Sequence, residues 1–267
     1  MVTETKKIIE KWYKILEFPK EFDKEFYDAL SEIEISPSTS IQTYDINEQN
    51  GKLNLLSFLY MCETLKKQYE EKQIDNEILL DTLKDIVRWA ITWSELKGCL
   101  YLGEIKWLGN HLGMTLFKLG RLQFNMAQIE EDMAKEGFLK GDKIIEVHIP
   151  SCGPLKKEEC EKSIIAAKEF FKKYYPDYNY KAFTCHSWLL DTSLNEILSK
   201  DSNIIQFQNM FDVTTEDKSD EILRYVFKWD TTRDKLNKLE CTSTLAQKVK
   251  QKIKDGFEFH ESYGILK

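Results

Sequence analysis

The apolar residues of this chain change their period once, and that change limits the fold more than any other feature. In the first hundred residues they recur every three or four positions, the spacing of one helix face. Ile8, Trp12, Ile15 and Leu16 form the first stripe, and Pro19 ends it. Phe22, Phe26, Leu30 and Ile33 form a second, followed by the loop Ser36-Pro37-Ser38-Thr39-Ser40. Leu55, Leu59, Cys62, Leu65 and Tyr69 predict a long helix; Ile78, Leu79, Leu83, Ile86, Val87, Ala90 and Trp93 predict another. Beyond about residue 120 the period falls to two, the mark of half-buried strands. Leu122, Phe124 and Met126 alternate with Arg121, Gln123 and Asn125. Ile145, Val147 and Ile149 alternate with Ile144, Glu146 and His148.

Glycine marks the switch. One glycine falls in the first 97 residues and five between 98 and 120. Gly141-Asp142 reads as a turn, and Ser151-Cys152-Gly153-Pro154 ends the second strand. A helix follows from about Lys156 to Tyr174, with Cys160, Ile164, Ala167 and Phe171 on one face and Pro176 closing it. Tyr180 to Leu190 predicts a third strand, Leu194 to Leu198 a short helical stretch, and Ile204 to Phe211 an apolar stretch of either type. Leu223, Tyr225, Phe227 and Trp229 alternate as a strand. Leu245, Val249 and Ile253 make a helix stripe that Gly256 stops, and Phe257 to Leu266 predicts a last strand. The expected class is α+β: a helical domain over 1–112, then a mixed-sheet domain with crossover helices over 113–267.

Composition narrows the function. Hydrophobic residues make up 42% of the 267 and charged residues 31%, enough to bury a core. The net charge of −7 argues against a general nucleic-acid binder. No apolar run approaches the roughly 18 residues that span a bilayer, and MVTETKKIIEKW is not a secretion signal. The expectation is a cytoplasmic protein without nucleic-acid or membrane partners. Its six cysteines contain no C-x-x-C pair, so free and mostly buried thiols are expected. Four widely spaced histidines make a His-based metal site unexpected. The helical part shows no cluster of catalytic residue types.

Two segments carry candidate chemistry. In 144–171 a strand, a Gly-Pro loop and a helix follow one another. A helix N-terminus presents unpaired N–H groups to a phosphate, and Lys156 and Lys157 add charge there. The plainer reading is an ordinary loop with a solvated lysine pair. In Phe183-Thr184-Cys185-His186-Ser187-Trp188, His186 could act as a base near neutral pH, with Cys185 or Ser187 supplying a proton. His148 is an equal candidate, and the plainer reading for either is a packed histidine. Cys185 and His186 are adjacent on a strand and point apart, so they are not a nucleophile and its base.

Several stretches in order resemble a bacterial two-domain acyltransferase family. They are Leu119-Gly120-Arg121-Leu122-Gln123-Phe124, His148-Ile149-Pro150-Ser151 with Gly153-Pro154-Leu155, Cys185-His186-Ser187-Trp188-Leu189-Leu190-Asp191, Ser202-Asn203-Ile204 and Ser262-Tyr263-Gly264-Ile265-Leu266. The resemblance implies a helical N-terminal domain and a C-terminal domain of the GNAT fold, the amino-group acetyltransferase superfamily. It differs in its phosphate loop. The superfamily's Q/R-x-x-G-x-G/A is replaced by Pro150-Ser151-Cys152-Gly153-Pro154-Leu155, and Lys156 and Thr192 replace a hydroxyl residue and a proline. The implied activity is N-acyl transfer from acetyl-coenzyme A or another acyl-coenzyme A to a small-molecule or peptide amine. The coenzyme would lie at Ile149, Ser151, Cys152, Gly153, Leu155 and Lys156. Catalysis would fall to His186 or His148 as base and Cys185 or Ser187 as proton donor. The alternative is a GNAT-like ligand-sensing or partner-binding module without catalysis.

Overall fold

The computed structural model describes residues 4–32 and 50–267. The predicted Ile33 and the loop 36–40 lie outside the described residues. The chain divides into two compact units, Met1–Lys118 and Leu119–Lys267.

The first unit holds helices α1 (Glu4–Ile15), α2 (Asp23–Glu32), α3 (Gly51–Glu71), α4 (Asn76–Lys97) and α5 (Ile105–Leu112). Local chemistry sets the ends of α4: Asp75 accepts the Glu77 N–H at 2.8 Å, and Gly98 closes the helix at φ +70°. The α3 stripe from Leu55 to Tyr69 is buried as its spacing predicts. In α1 the buried face is shifted: Ile9, Trp12, Tyr13 and Leu16 are inside, while Ile15 is 40% exposed. The aromatic pair decides this, because Tyr13 stacks on Phe26 of α2 at 3.7 Å between ring centroids. This unit also buries a polar cluster that periodicity does not reveal. Asp85 accepts from Trp107 Nε1 at 3.1 Å, meets His111 Nε2 at 3.1 Å and accepts from Arg88 at 3.3 Å.

The sheet strands are β1 (Leu116–Leu119), β2 (Leu122–Gln128), β3 (Lys143–His148), β4 (Phe183–Ser187), β5 (Phe211–Lys218) and β6 (His260–Leu266). Their order is β1-β2-β3-β4-β6-β5, and the division between the units falls inside β1. β3 and β4 are parallel, joined through α6 (Lys157–Tyr174); β2–β3, β4–β6 and β5–β6 are antiparallel. Shorter helices α7 (Asn203–Gln208), α8 (Glu221–Val226) and α9 (Thr244–Lys254) complete the unit. α6 buries Cys160, Ser163, Ile164, Ala167, Phe170 and Phe171. Ser163 ties it to the sheet, accepting from Leu122 N at 3.0 Å and donating to Leu119 O.

Three expectations are corrected, and one strand is new. The strand predicted over 180–190 is only five residues long, because Ser187 accepts from Leu189 N and turns Trp188–Leu190 into a 3₁₀ helix. The alternation from Leu223 to Trp229 is helix α8 at its start: Ile222 and Leu223 are buried side by side and Tyr225 is 52% exposed. β5 was not predicted, because its exposed edge carries Asp212, Glu216, Asp217 and Lys218 in place of alternating apolar residues. β2 is not half-buried: Gln123 and Asn125 are 2% and 7% exposed, so both faces are covered. All six cysteines are free thiols; three are buried, Cys241 is half-buried, and Cys99 and Cys152 are exposed.

Candidate active site

The site begins where two parallel strands part. β3 and β4 are paired at Ile145↔Phe183 and Glu146↔Thr184. Beyond that point β3 continues against β2 to His148, and β4 continues against β6 to Ser187. Ile145 N donates to Ala182 O at 3.0 Å, so that edge of β3 faces β4. Alternation turns the backbone groups of Val147 and Ile149 the same way, into the widening gap. His186 presents its backbone from the other side by the same rule.

Register also gathers polar side chains on one sheet face. Gln123 lies opposite His148, Asn125 opposite Glu146, Glu146 beside Thr184, and His186 opposite Tyr263. The Glu146 carboxylate accepts from Asn125 Nδ2 at 2.9 Å and lies 3.4 Å from His148 Nε2. Burial by itself raises the Glu146 carboxyl. The hydrogen bond and charge of His148, the Asn125 amide and the charge of His186 outweigh it, and its pKa lies below the ordinary glutamate value. Glu146 and His148 are half-exposed, with side chains 38% and 31% accessible. His186 is exposed. At one end the connection between β2 and β3 folds over this face. There Ile129, Phe138 and Ile144 are buried with Met133, Tyr263 and Ile265 against them, and Glu136 accepts from Thr215 Oγ1 at 2.6 Å.

Cys185 points to the other face. It is 1% exposed, and burial pushes its thiol well above the ordinary range. The thiol faces away from His186, as alternation along the strand predicts. Ser187, half-buried, caps the 3₁₀ turn by accepting from Leu189 N at 3.1 Å and keeps its hydroxyl hydrogen for donation.

The loop after β3 is held by Arg121, which pattern reading passed over. Its guanidinium donates to Pro150 O at 3.0 Å, Gly153 O at 2.9 Å and Pro154 O at 3.0 Å, and reaches Cys152 Sγ at 3.6 Å. Ser151, Cys152, Gly153 and Lys156 are exposed and Ile149 is half-buried. Leu155 departs from the expected cleft mouth: at 7% exposure it anchors the loop in the protein. Gly153 sits at φ +116°, and a Cβ there would meet open space, so the backbone conformation rather than crowding calls for glycine. α6 starts without a side-chain cap at Lys156, leaving its first N–H groups toward the loop, although Glu158 and Glu159 already lie in its first turn. Among the described residues no group of three or more His, Cys, Asp or Glu is placed to hold a metal. None of their helices is long and apolar enough to cross a membrane.

Asn125 and Glu146 were within reach of the sequence, since each sits two residues from another polar residue on its strand. What joins them is the β2–β3 register, which no local pattern states.

Residues 4–114 match the family described as N-acyltransferase N-terminal domain, and residues 116–266 match the GNAT-like C-terminal domain. No curated protein matches the sequence. Among solved structures, an acyltransferase mutant in complex with octanoyl-CoA superposes with TM-score 0.80 at 21% identity, over 97% of this chain and 87% of that one. An acyltransferase in complex with decanoyl-CoA and teicoplanin gives 0.78 at 21%, over 96% and 86%. Another in complex with CoA and 10C-teicoplanin gives 0.80 at 21%, over 97% and 87%. At such identities these likenesses speak for the fold. The matched regions cover both units, and the α+β architecture is that of the GNAT fold: the chain belongs to the family that joins an N-acyltransferase N-terminal domain to a GNAT-like C-terminal domain.

Proposed function

We propose that the protein is an acyl-coenzyme A-dependent N-acyltransferase, with a helical domain over 1–112 and the acyltransferase domain over 113–267. The observation that carries the reading is the parting of β3 and β4 beside the Glu146–His148 pair. An extended chain with amide groups fits such a gap as an added strand, bonded to the backbone of Val147, Ile149 and His186. The pantetheine arm of coenzyme A has that chemistry, and structural neighbours hold CoA or its octanoyl and decanoyl thioesters. The exposed loop of Ser151, Cys152 and Gly153, with the uncapped start of α6, suits the diphosphate. Arg121, Lys156 and Lys157 supply positive charge there; Leu155 holds the loop.

The reaction forms an amide bond between the acceptor nitrogen and the thioester carbonyl carbon and breaks the C–S bond. His148 takes the proton from the attacking amine. Glu146 orients its ring through Nε2 and stabilises the imidazolium. His186, across the gap, is the second candidate base. A β3 backbone N–H faces the carbonyl oxygen as charge develops. Ser187 shares the sheet face of Cys185, opposite His186; as the more exposed of the two, at the end of β4, it is the candidate to give the departing thiolate its proton. The acceptor is a small-molecule or peptide amine, and the protein works in the bacterial cytoplasm without nucleic-acid or membrane partners.

Thermal unfolding with octanoyl-CoA and with free CoA tests this. A ligand at 100 times its Kd that binds only the folded state stabilises by about 2.7 kcal/mol. The melting temperature is expected to rise with both; no rise at millimolar concentration overturns the reading.

A further inference from the structure

Two buried amides on β2 carry polar atoms without partners, on the sheet face that also holds Glu146, His148 and the unpartnered hydroxyl of Tyr263. Gln123 is 2% exposed and its Nε2 has no hydrogen-bond partner; Asn125 is 7% exposed and its Oδ1 has none. The orientation of Asn125 is set, because its Nδ2 donates to the Glu146 carboxylate at 2.9 Å and only Oδ1 is left over. A buried amide group without a partner is costly, and native proteins keep few of them. Here two stand two residues apart on the same strand face, one a donor and one an acceptor. Each lies opposite a residue of the proposed catalytic pair: Gln123 opposite His148, Asn125 opposite Glu146.

β3 separates two approaches to His148. On its β4 side is the gap assigned to the acyl donor; on its β2 side are these two amides. An acceptor amine bound against β2 beside His148 takes the place of part of the cover over that strand and meets an acceptor atom, Asn125 Oδ1, and a donor atom, Gln123 Nε2. The complement is an amine whose N–H reaches Asn125 and whose neighbouring carbon carries an oxygen for Gln123.

We propose that Gln123 and Asn125 are positioning residues for the acceptor, selecting a primary amine with a hydrogen-bond-accepting oxygen beside it, as in an α-amino carbonyl compound. This rests on the acyl-transfer reading. A site built to bond a polar group rejects the analogue that lacks it, because its own buried groups are then left unpaired.

The test uses the full chain, octanoyl-CoA as donor, and two acceptors, glycinamide and n-propylamine, with kcat/KM counted on the neutral amine. Glycinamide is expected to be preferred at least tenfold. In Gln123→Met, which removes the amide at similar volume, the preference should fall to within about threefold. The change should appear in the acceptor's KM, with the Kd for octanoyl-CoA unmoved. Gln123→Leu serves if the methionine variant does not fold. Equal use of the two amines by the wild type overturns the proposal. So does an unchanged preference in the variants, or octanoyl-CoA binding without transfer to glycinamide. If octanoyl-CoA itself does not bind, the acyl-transfer reading fails and this proposal with it.

Discussion

At the scale of single residues, the site turns on one carboxylate held ionised by its neighbours. Glu146 accepts from Asn125 and meets His148, and these contacts keep its pKa below 4.5. A lowered native pKa means that the stability contributed by the ionised Glu146 carboxylate is fully present above its unfolded value and is lost as pH falls through the lower native one. Replacing Glu146 with Gln removes the charge and keeps the shape. We expect kcat to fall by about 10²–10⁴-fold, the range over which acid–base groups contribute, with the Kd for acyl-CoA little changed. Cys185→Ala is the contrasting variant. Its thiol faces the opposite side of the sheet, so kcat should stay within about threefold of wild type, measured by thiol release in the presence of acceptor. A loss as large as that of Glu146→Gln would restore Cys185 to the mechanism.

At the scale of elements, the loop between β3 and α6 is shaped by a side chain from β2's own threshold. Arg121 donates to three carbonyls of the loop, those of Pro150, Gly153 and Pro154. Charged donors to carbonyls are among the stronger hydrogen bonds, so one side chain can set the loop's form. Arg121→Ala should weaken acyl-CoA binding at least tenfold, about 1.4 kcal/mol, by isothermal titration, while circular dichroism shows the same secondary structure. A Kd within twofold of wild type would separate the loop from the ligand. Gly153→Val is the less selective probe. Its φ of +116° strains any β-branched residue by about 1–3 kcal/mol, so binding and stability fall together.

At the scale of the whole molecule, the residues proposed for catalysis lie where a parallel pair of strands opens inside a mixed sheet. Both edges of that gap are backbone, so a ligand lying in it should shield backbone amides. Hydrogen exchange with and without octanoyl-CoA is therefore expected to slow most within 147–158 and 185–188. The amides of Val147 and His186 lead this pattern because alternation turns them into the gap. Protection gained elsewhere but not in these two segments would move the donor site away from the parting strands.

The sequence by itself determined which stretches are helices and which are strands wherever burial is one-sided. The α3 stripe and α6 face are plain in their spacing, as is the stop at Gly256, which sits at φ +82°. One-sided burial writes a period into the chain, and a period can be read locally. Where that condition fails, so does the reading. β5 is an exposed edge with no apolar alternation, β2 is covered on both faces, and α8 is too short to show a turn's repeat. The candidate site was legible in part: His148, His186 and the loop at Gly153 stand out by residue type. Only the tertiary structure decided that Glu146, Asn125 and Gln123 join His148, that Cys185 faces away, and that Arg121 holds the loop. Those outcomes depend on strand register and on which face of the sheet is covered, and both are fixed by residues far apart in the chain.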